Sequence, residues 1–127
     1  MFAKFPELKV VLIESGVSWL PAFCWRLSKF WRGVRIEVPW VERAPIEIIR
    51  EHVRLTLTPF DAPPSAEAVA RLCEHLGSDE MLLFSSDYPH WHFEGDDVLP
   101  AGLPEATIER LLARNPRDTY SRIGGNA

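Results

Sequence analysis

Two acidic residues directly follow short apolar runs, where a chain leaving a sheet would present them. Glu14 follows LKVVLI (residues 8–13), and Asp87 follows MLLFSS (residues 81–86). A carboxylate so placed can bind a divalent metal ion, or deprotonate an attacking water as a general base. The competing reading of Asp87 is a turn residue, closing a bend with Tyr88 and Pro89. Glu14 reads equally as a proton acceptor that orients a metal-bound water and as a carboxylate at the positive end of the following helix. His90, His92 and Glu94 come soon after Asp87 and are all zinc-ligand types. A spacing of two or three residues in a loop does not force them to converge. We read His90 as lining a pocket or ordering the loop. Trp19 and Trp91 are candidate pocket walls, since aromatic lining is common in ligand sites, and equally candidates for core or interface rings. His52 and His75 have no partner nearby in sequence and read as structural. The sequence contains no nucleophile elbow, phosphate-binding glycine loop or dinucleotide fingerprint.

The elements that position these groups are legible from periodicity. Leu8–Ile13 and Met81–Phe84 are continuous apolar runs of the kind found in strands buried on both faces. Val53–Thr58 (VRLTLT) alternates as a third strand. From Ser18, apolar residues at Leu20, Phe23, Leu27, Phe30, Trp31 and Val34 recur at helical spacing, with Pro21 suited to the first turn. A short helix is expected from Ile46 to His52, opened by Pro45. A clearer one carries Val69, Leu72 and Leu76, with Ser65 as its cap and Gly77 as its stop. A last helix carries Ile108, Leu111 and Leu112. Strands alternating with helices imply parallel pairing and right-handed crossovers, hence an α/β fold.

Composition narrows the function classes. The chain has 127 residues, 46% of them hydrophobic and 25% charged, with a formal net charge of −4. That balance argues against nucleic acid, whose phosphates need clustered cations. The one basic cluster, Arg26, Lys29, Arg32 and Arg35, reads as a solvated helix stripe. No apolar run approaches the roughly 18 residues of a membrane span, and the first residues lack the pattern of a signal peptide. Cys24 and Cys73 lie in apolar helical patterns and read as buried free thiols, consistent with a reducing, cytoplasmic setting.

The segments FPELKVVLIESG with the following WLP, and LLFSSDYPHW later, resemble the amidohydrolase-related family, which includes aminocarboxymuconate-semialdehyde decarboxylase and related metal-dependent hydrolases. The resemblance runs from Phe5 to about Tyr120. It implies part of a (β/α)₈ TIM barrel, with Leu8–Ile13, Val53–Thr58 and Met81–Phe84 equivalent to strands six to eight, across residues 1–122, and a flexible tail at 123–127. Family members hold a divalent metal, zinc or manganese, through an His-x-His pair after strand one, a His after strand five and an Asp after strand eight. Asp87 matches the last of these, so the resemblance makes it a metal ligand and catalytic residue. Glu14 stands where the decarboxylase carries a sixth-strand His. The resemblance implies a small-molecule substrate, with Trp19, His90 and Trp91 beside it. His90-Trp91-His92 has the His-x-His spacing but follows the last strand, so it is not the family's motif. The other ligands have no counterpart here. The expectation is therefore a C-terminal segment that is inactive alone, needing a separate N-terminal half or further copies of itself. The alternatives are a non-catalytic assembly module and the product of a truncated reading frame.

Overall fold

The middle strand of a three-stranded parallel sheet, β2 (Val53–Thr56), carries neighbours on both sides. Here β1 (Val10–Leu12) pairs Val10 with Val53 and Leu12 with Leu55, and β3 (Leu82–Leu83) pairs Leu82 with Leu55 and Leu83 with Thr56. The computed structural model describes residues 1–61, 63–91, 93, 95 and 98–120. The chain runs β1, α1 (Leu20–Val34), α2 (Pro45–His52), β2, α3 (Ala66–Leu76) and β3, then a terminal helical stretch. That stretch is α4 (Glu105–Glu109), a π-helical turn (Arg110–Arg114) and α5 (Asn115–Thr119). The expected strand–helix order and parallel pairing are found. The strands are shorter than the apolar runs that announce them, and the tail at 123–127 lies outside the described residues.

Period-two alternation gives β2 two unlike faces. Leu55 and Leu57 are fully buried among Val17, Leu20, Cys24, Val69, Leu72, Leu76 and Met81, the layer made with α1 and α3. Arg54, Thr56 and Thr58 alternate to the other face and are also buried. The Arg54 guanidinium donates to the carbonyls of Arg50, Glu51 and Val53. Two of these are among the last carbonyls of α2, which have no partner within the helix. The buried charge therefore serves the end of the preceding helix.

The helix boundaries follow local chemistry. Pro45 occupies the first turn of α2, and Pro21 that of α1. Ser65 Oγ accepts from the Ala68 N–H at the start of α3, and Gly77 ends that helix at φ 63°, in the left-handed region. His52 is buried, with Nδ1 at 2.8 Å from the Leu8 carbonyl and its ring stacked on Phe2. His75 lies edge-on to Trp25. Both are structural. Cys24 is buried and Cys73 half-buried, both as free thiols, and burial raises both pKa values.

Two burial expectations are corrected. The β1 run is only half-buried: Val10, Val11 and Leu12 are partly exposed, and Leu8 and Ile13 are exposed, because nothing among the described residues pairs with the outer edge of β1. In α1 only Leu20, Pro21 and Cys24 are buried, while Phe23, Phe30 and Val34 face outward. The wider pattern is that no Phe, Trp or Tyr is fully buried among the described residues. The apolar core is built from leucine, valine, methionine and cysteine; Phe60 packs against it, and most of the other Phe, Trp and Tyr rings are exposed.

Asn115 helps to pin the terminal stretch, alongside the buried Leu111 and the Arg110–Asp79 ion pair. Pro116 cannot donate to the preceding turn, and just ahead of it the helix widens, with the Asn115 N–H bonding to the Arg110 carbonyl. The widened turn aims Asn115 inward, where Nδ2 donates to the carbonyls of Asp79 (2.7 Å) and Leu82 (2.8 Å). The residue is 1% exposed. Asn115→Leu keeps the branched outline, with some added volume, but leaves both carbonyls without this donor. A loss of about 1–3 kcal/mol is expected by urea denaturation; a change below roughly 0.5 kcal/mol would show that these carbonyls find water instead.

Candidate functional site

Three parallel strands end at one edge of the sheet, and the candidate residues follow those ends. Glu14 lies two residues beyond β1 and Asp87 four beyond β3, with Thr56 and Thr58 of the β2 end between them. Strands two places apart in a sheet are separated by about 9–10 Å, so the acids flank β2. Its threonines tie the two loops to it. Thr56 Oγ1 accepts from the Glu14 N–H at 3.0 Å. Thr58 donates its N–H to Ser85 Oγ (2.9 Å) and its hydroxyl to the Ser85 carbonyl (2.6 Å).

Glu14 (φ 55°) and Asp87 (φ 59°) are the two non-glycine residues in the left-handed region among the described residues. That conformation costs an L-residue roughly 1–2 kcal/mol, less for Asp, which visits it more readily. The Asp87 side chain is only 10% exposed and its Oδ2 lies 3.1 Å from His90 Nδ1. The His90 N–H donates to the Asp87 carbonyl at 2.8 Å. Asp87 thus forms the turn that its sequence announces while holding a largely buried carboxylate at the strand mouth. Glu14 points its side chain into solvent.

The aromatic candidates surround the same edge. The Trp19 indole donates to the carbonyls of Ser15 and Gly16, so it braces the β1 loop, and its ring meets Phe23 edge-on. Trp91 is 80% exposed and tilts against His90. Tyr88 and Phe93 pack edge-to-face beside them. His92 and Glu94 lie outside the described residues. Among the described residues no three His, Cys, Asp or Glu side chains gather as a metal cluster, so Asp87 and Glu14 do not by themselves make a zinc-type site of three or four ligands.

A family model described as amidohydrolase matches residues 1–122. The chain belongs to the amidohydrolase family. No curated protein matches it. Membership makes this a hydrolase-related α/β chain. No helix among the described residues is long and apolar enough to cross a membrane.

The carboxylate that sequence reasoning missed in this amidohydrolase chain is Asp61. It reaches back from the loop after β2 to the loop after β1. Its Oδ1 accepts from the N–H groups of Val17 (2.6 Å) and Ser18 (3.1 Å), and its Oδ2 from the Ser18 hydroxyl (2.7 Å). This clamp, not Glu14, satisfies the donors that lead into α1. The closeness of Asp61 explains Gly16: at φ 70°, a Cβ there would sit 2.5 Å from Asp61 Oδ2. No local signal announces this clamp; the sequence shows only that Asp61 is the one acid between Pro59 and Pro64.

Two predictions follow from this geometry. Burial pushes the Asp61 carboxyl pKa up, but the hydrogen bonds from Val17 and Ser18 outweigh it and hold it below its ordinary value. With the folded value depressed, the clamp stabilises fully above the unfolded carboxylate range and fades as pH falls through the folded pKa. Asp61→Asn should therefore destabilise at neutral pH, with the gap to the parent closing in acid, as read by urea melts across pH. A gap independent of pH would mean that charge plays no part. Separately, Glu14→Gly relieves the left-handed backbone without removing any side-chain bond, and should raise stability by about 1 kcal/mol. A loss in the same melts would give the Glu14 side chain a structural role.

Proposed function

We propose that this chain supplies part of the active-site mouth of a metal-dependent amidohydrolase, with Asp87 as a metal ligand and proton-accepting carboxylate. One observation carries this reading: a largely buried carboxylate, held in a disfavoured backbone conformation at the carboxyl end of a parallel strand. Strain of this kind concentrates at functional sites, and the carboxyl ends of parallel strands are where α/β barrels place their chemistry. Family membership supports the same placement. The fold is then a segment of a (β/α)₈ barrel, contributing strands equivalent to six to eight.

The described donors fall short of a complete centre, so the remaining ligands come from outside them. A bound zinc or manganese ion would polarise the substrate and acidify a water. The contributions of this chain are positional. His90 holds the Asp87 carboxylate at Oδ2. Ser85, fixed by Thr58, sets the strand exit. Trp91 and Tyr88 offer an apolar wall to a small-molecule substrate. Glu14, across β2, is placed to accept a proton at the other side of the mouth. Hydrolysis and decarboxylation both remain within this chemistry, and the protein would act in the cytoplasm.

A second reading, an assembly module without catalysis of its own, draws on a different observation. Both outer edges of the sheet are unpaired among the described residues, and open edges invite strand addition. The two readings converge if a separate N-terminal half, or another copy, completes the barrel.

Calorimetric titration of the purified chain with Zn²⁺ or Mn²⁺ tests the first reading. Weak, non-saturating binding that Asp87→Ala abolishes is the expected result. Tight stoichiometric binding would show a self-sufficient centre, and binding unaffected by Asp87→Ala would remove Asp87 from the metal. Light scattering tests the second: a clean monomer at low micromolar concentration counts against self-assembly.

A further inference from the structure

The outer surface of α1 carries two features that the site does not use. Taking about 100° per residue, Trp19, Phe23, Phe30 and Val34 fall within roughly 60° of one another on one side of the helix. All four are exposed. They form an apolar stripe along a helix about 22 Å long. The helix meets the core through Leu20, Pro21 and Cys24, and meets α3 through Trp25, which packs on His75. The stripe lies on neither of these sides. A contiguous row of exposed rings marks an interaction surface rather than ordinary exposure.

The second feature is charge. Arg26 and Lys29 lie beside this stripe, whereas Arg32 and the C-cap Arg35 wind on to the far side of the helix; all four are exposed, and no Asp or Glu occurs between Glu14 and Glu37. Among the described residues none of the four cations has an ion pair, whereas Arg43, Arg71, Arg110 and Arg114 all do. The Arg26 guanidinium instead lies over the Phe30 ring, 5.1 Å from its centroid, joining the basic row to the apolar one. This local excess of positive charge sits in a chain whose formal net charge is −4.

We propose that this face of α1 docks an amphipathic helix from another polypeptide, one whose apolar stripe is flanked by carboxylates. The apolar row supplies the buried contact, and Arg26 and Lys29 beside it select an acidic partner and speed the encounter. A two-fold contact between copies of this chain would set the same cations against each other, which disfavours self-pairing through this face. Apart from Trp19, whose indole braces the β1 loop, the face uses no residue of the strand mouth, so the proposal does not depend on the metal-centre reading.

The test uses the whole chain and two labelled synthetic peptides of α1's length, one patterned with Leu and Glu and one with Leu and Lys. Fluorescence anisotropy at low salt should show the Glu peptide binding at least about tenfold tighter than the Lys peptide. The preference should shrink as salt screens it. Phe23→Ser with Phe30→Ser should weaken binding tenfold or more, and Arg26→Glu with Lys29→Glu should reverse the preference. The exposed control Glu67→Gln should change neither, and circular dichroism checks that each variant is folded. Equal binding of both peptides, or none, overturns the proposal. So does tighter binding to phosphatidylglycerol-containing vesicles than to the Glu peptide, which would make the face a membrane contact. Light scattering that shows a dimer lost in the Phe variants would assign the face to a second copy.

Discussion

The structure hangs on β2. It is the one strand with a partner on each side, and its two faces do different work. Leu55 and Leu57 anchor the helical layer, while Arg54 satisfies carbonyls at the end of α2. Past its end, Thr56 and Thr58 reach sideways to the loops that carry Glu14 and Ser85. The positions of both rim acids therefore descend from one strand. This explains how strands of two and three residues can present a defined edge: hydrogen bonds from side chains extend the sheet's order beyond its backbone ladder.

Much of this was legible in the sequence because it is local. Ser65 and Gly77 bracket α3, Pro21 and Pro45 open α1 and α2, and the apolar runs locate the three strands. Parallel pairing followed from alternation. Asp61 was not legible, since its partners Val17 and Ser18 lie more than forty residues away, and no local pattern encodes a contact across two loops. The side of α1 that meets the core was left open for a related reason. Phe23, Phe30 and Val34 obey the same helical period as Leu20, and a period alone cannot say which of two apolar sides meets the core. At the rim, the residue types at 14 and 87 were informative. Their left-handed backbones were not, because neither position carries the glycine that normally announces one.

The outer layer and the rim share a character. Among the described residues no Phe, Trp or Tyr is fully buried, although these side chains offer the most area for burial. Rings collect instead around the strand mouth, at Trp19, Tyr88, Trp91 and Phe93, and along α1 at Phe23 and Phe30. The aliphatic core holds this chain together, and the rings are left to meet whatever lies beyond it. The same division appears in the charges among the described residues: Arg43, Arg71 and Arg110 are paired, and the cations of α1 are not.

The widened turn ahead of Pro116 bears on how this sequence can change length. Surface loops usually absorb insertions and deletions, and helices resist them. Here the terminal helix already carries the extra residue that a π turn contains. Dropping one residue between Arg110 and Arg114 would turn the bond from the Asn115 N–H to the Arg110 carbonyl into an ordinary helical one and leave Asn115 facing the strand it anchors. Descendants of this sequence should therefore tolerate the loss of one residue within that stretch although it is helical, which reverses the usual contrast between helix and loop.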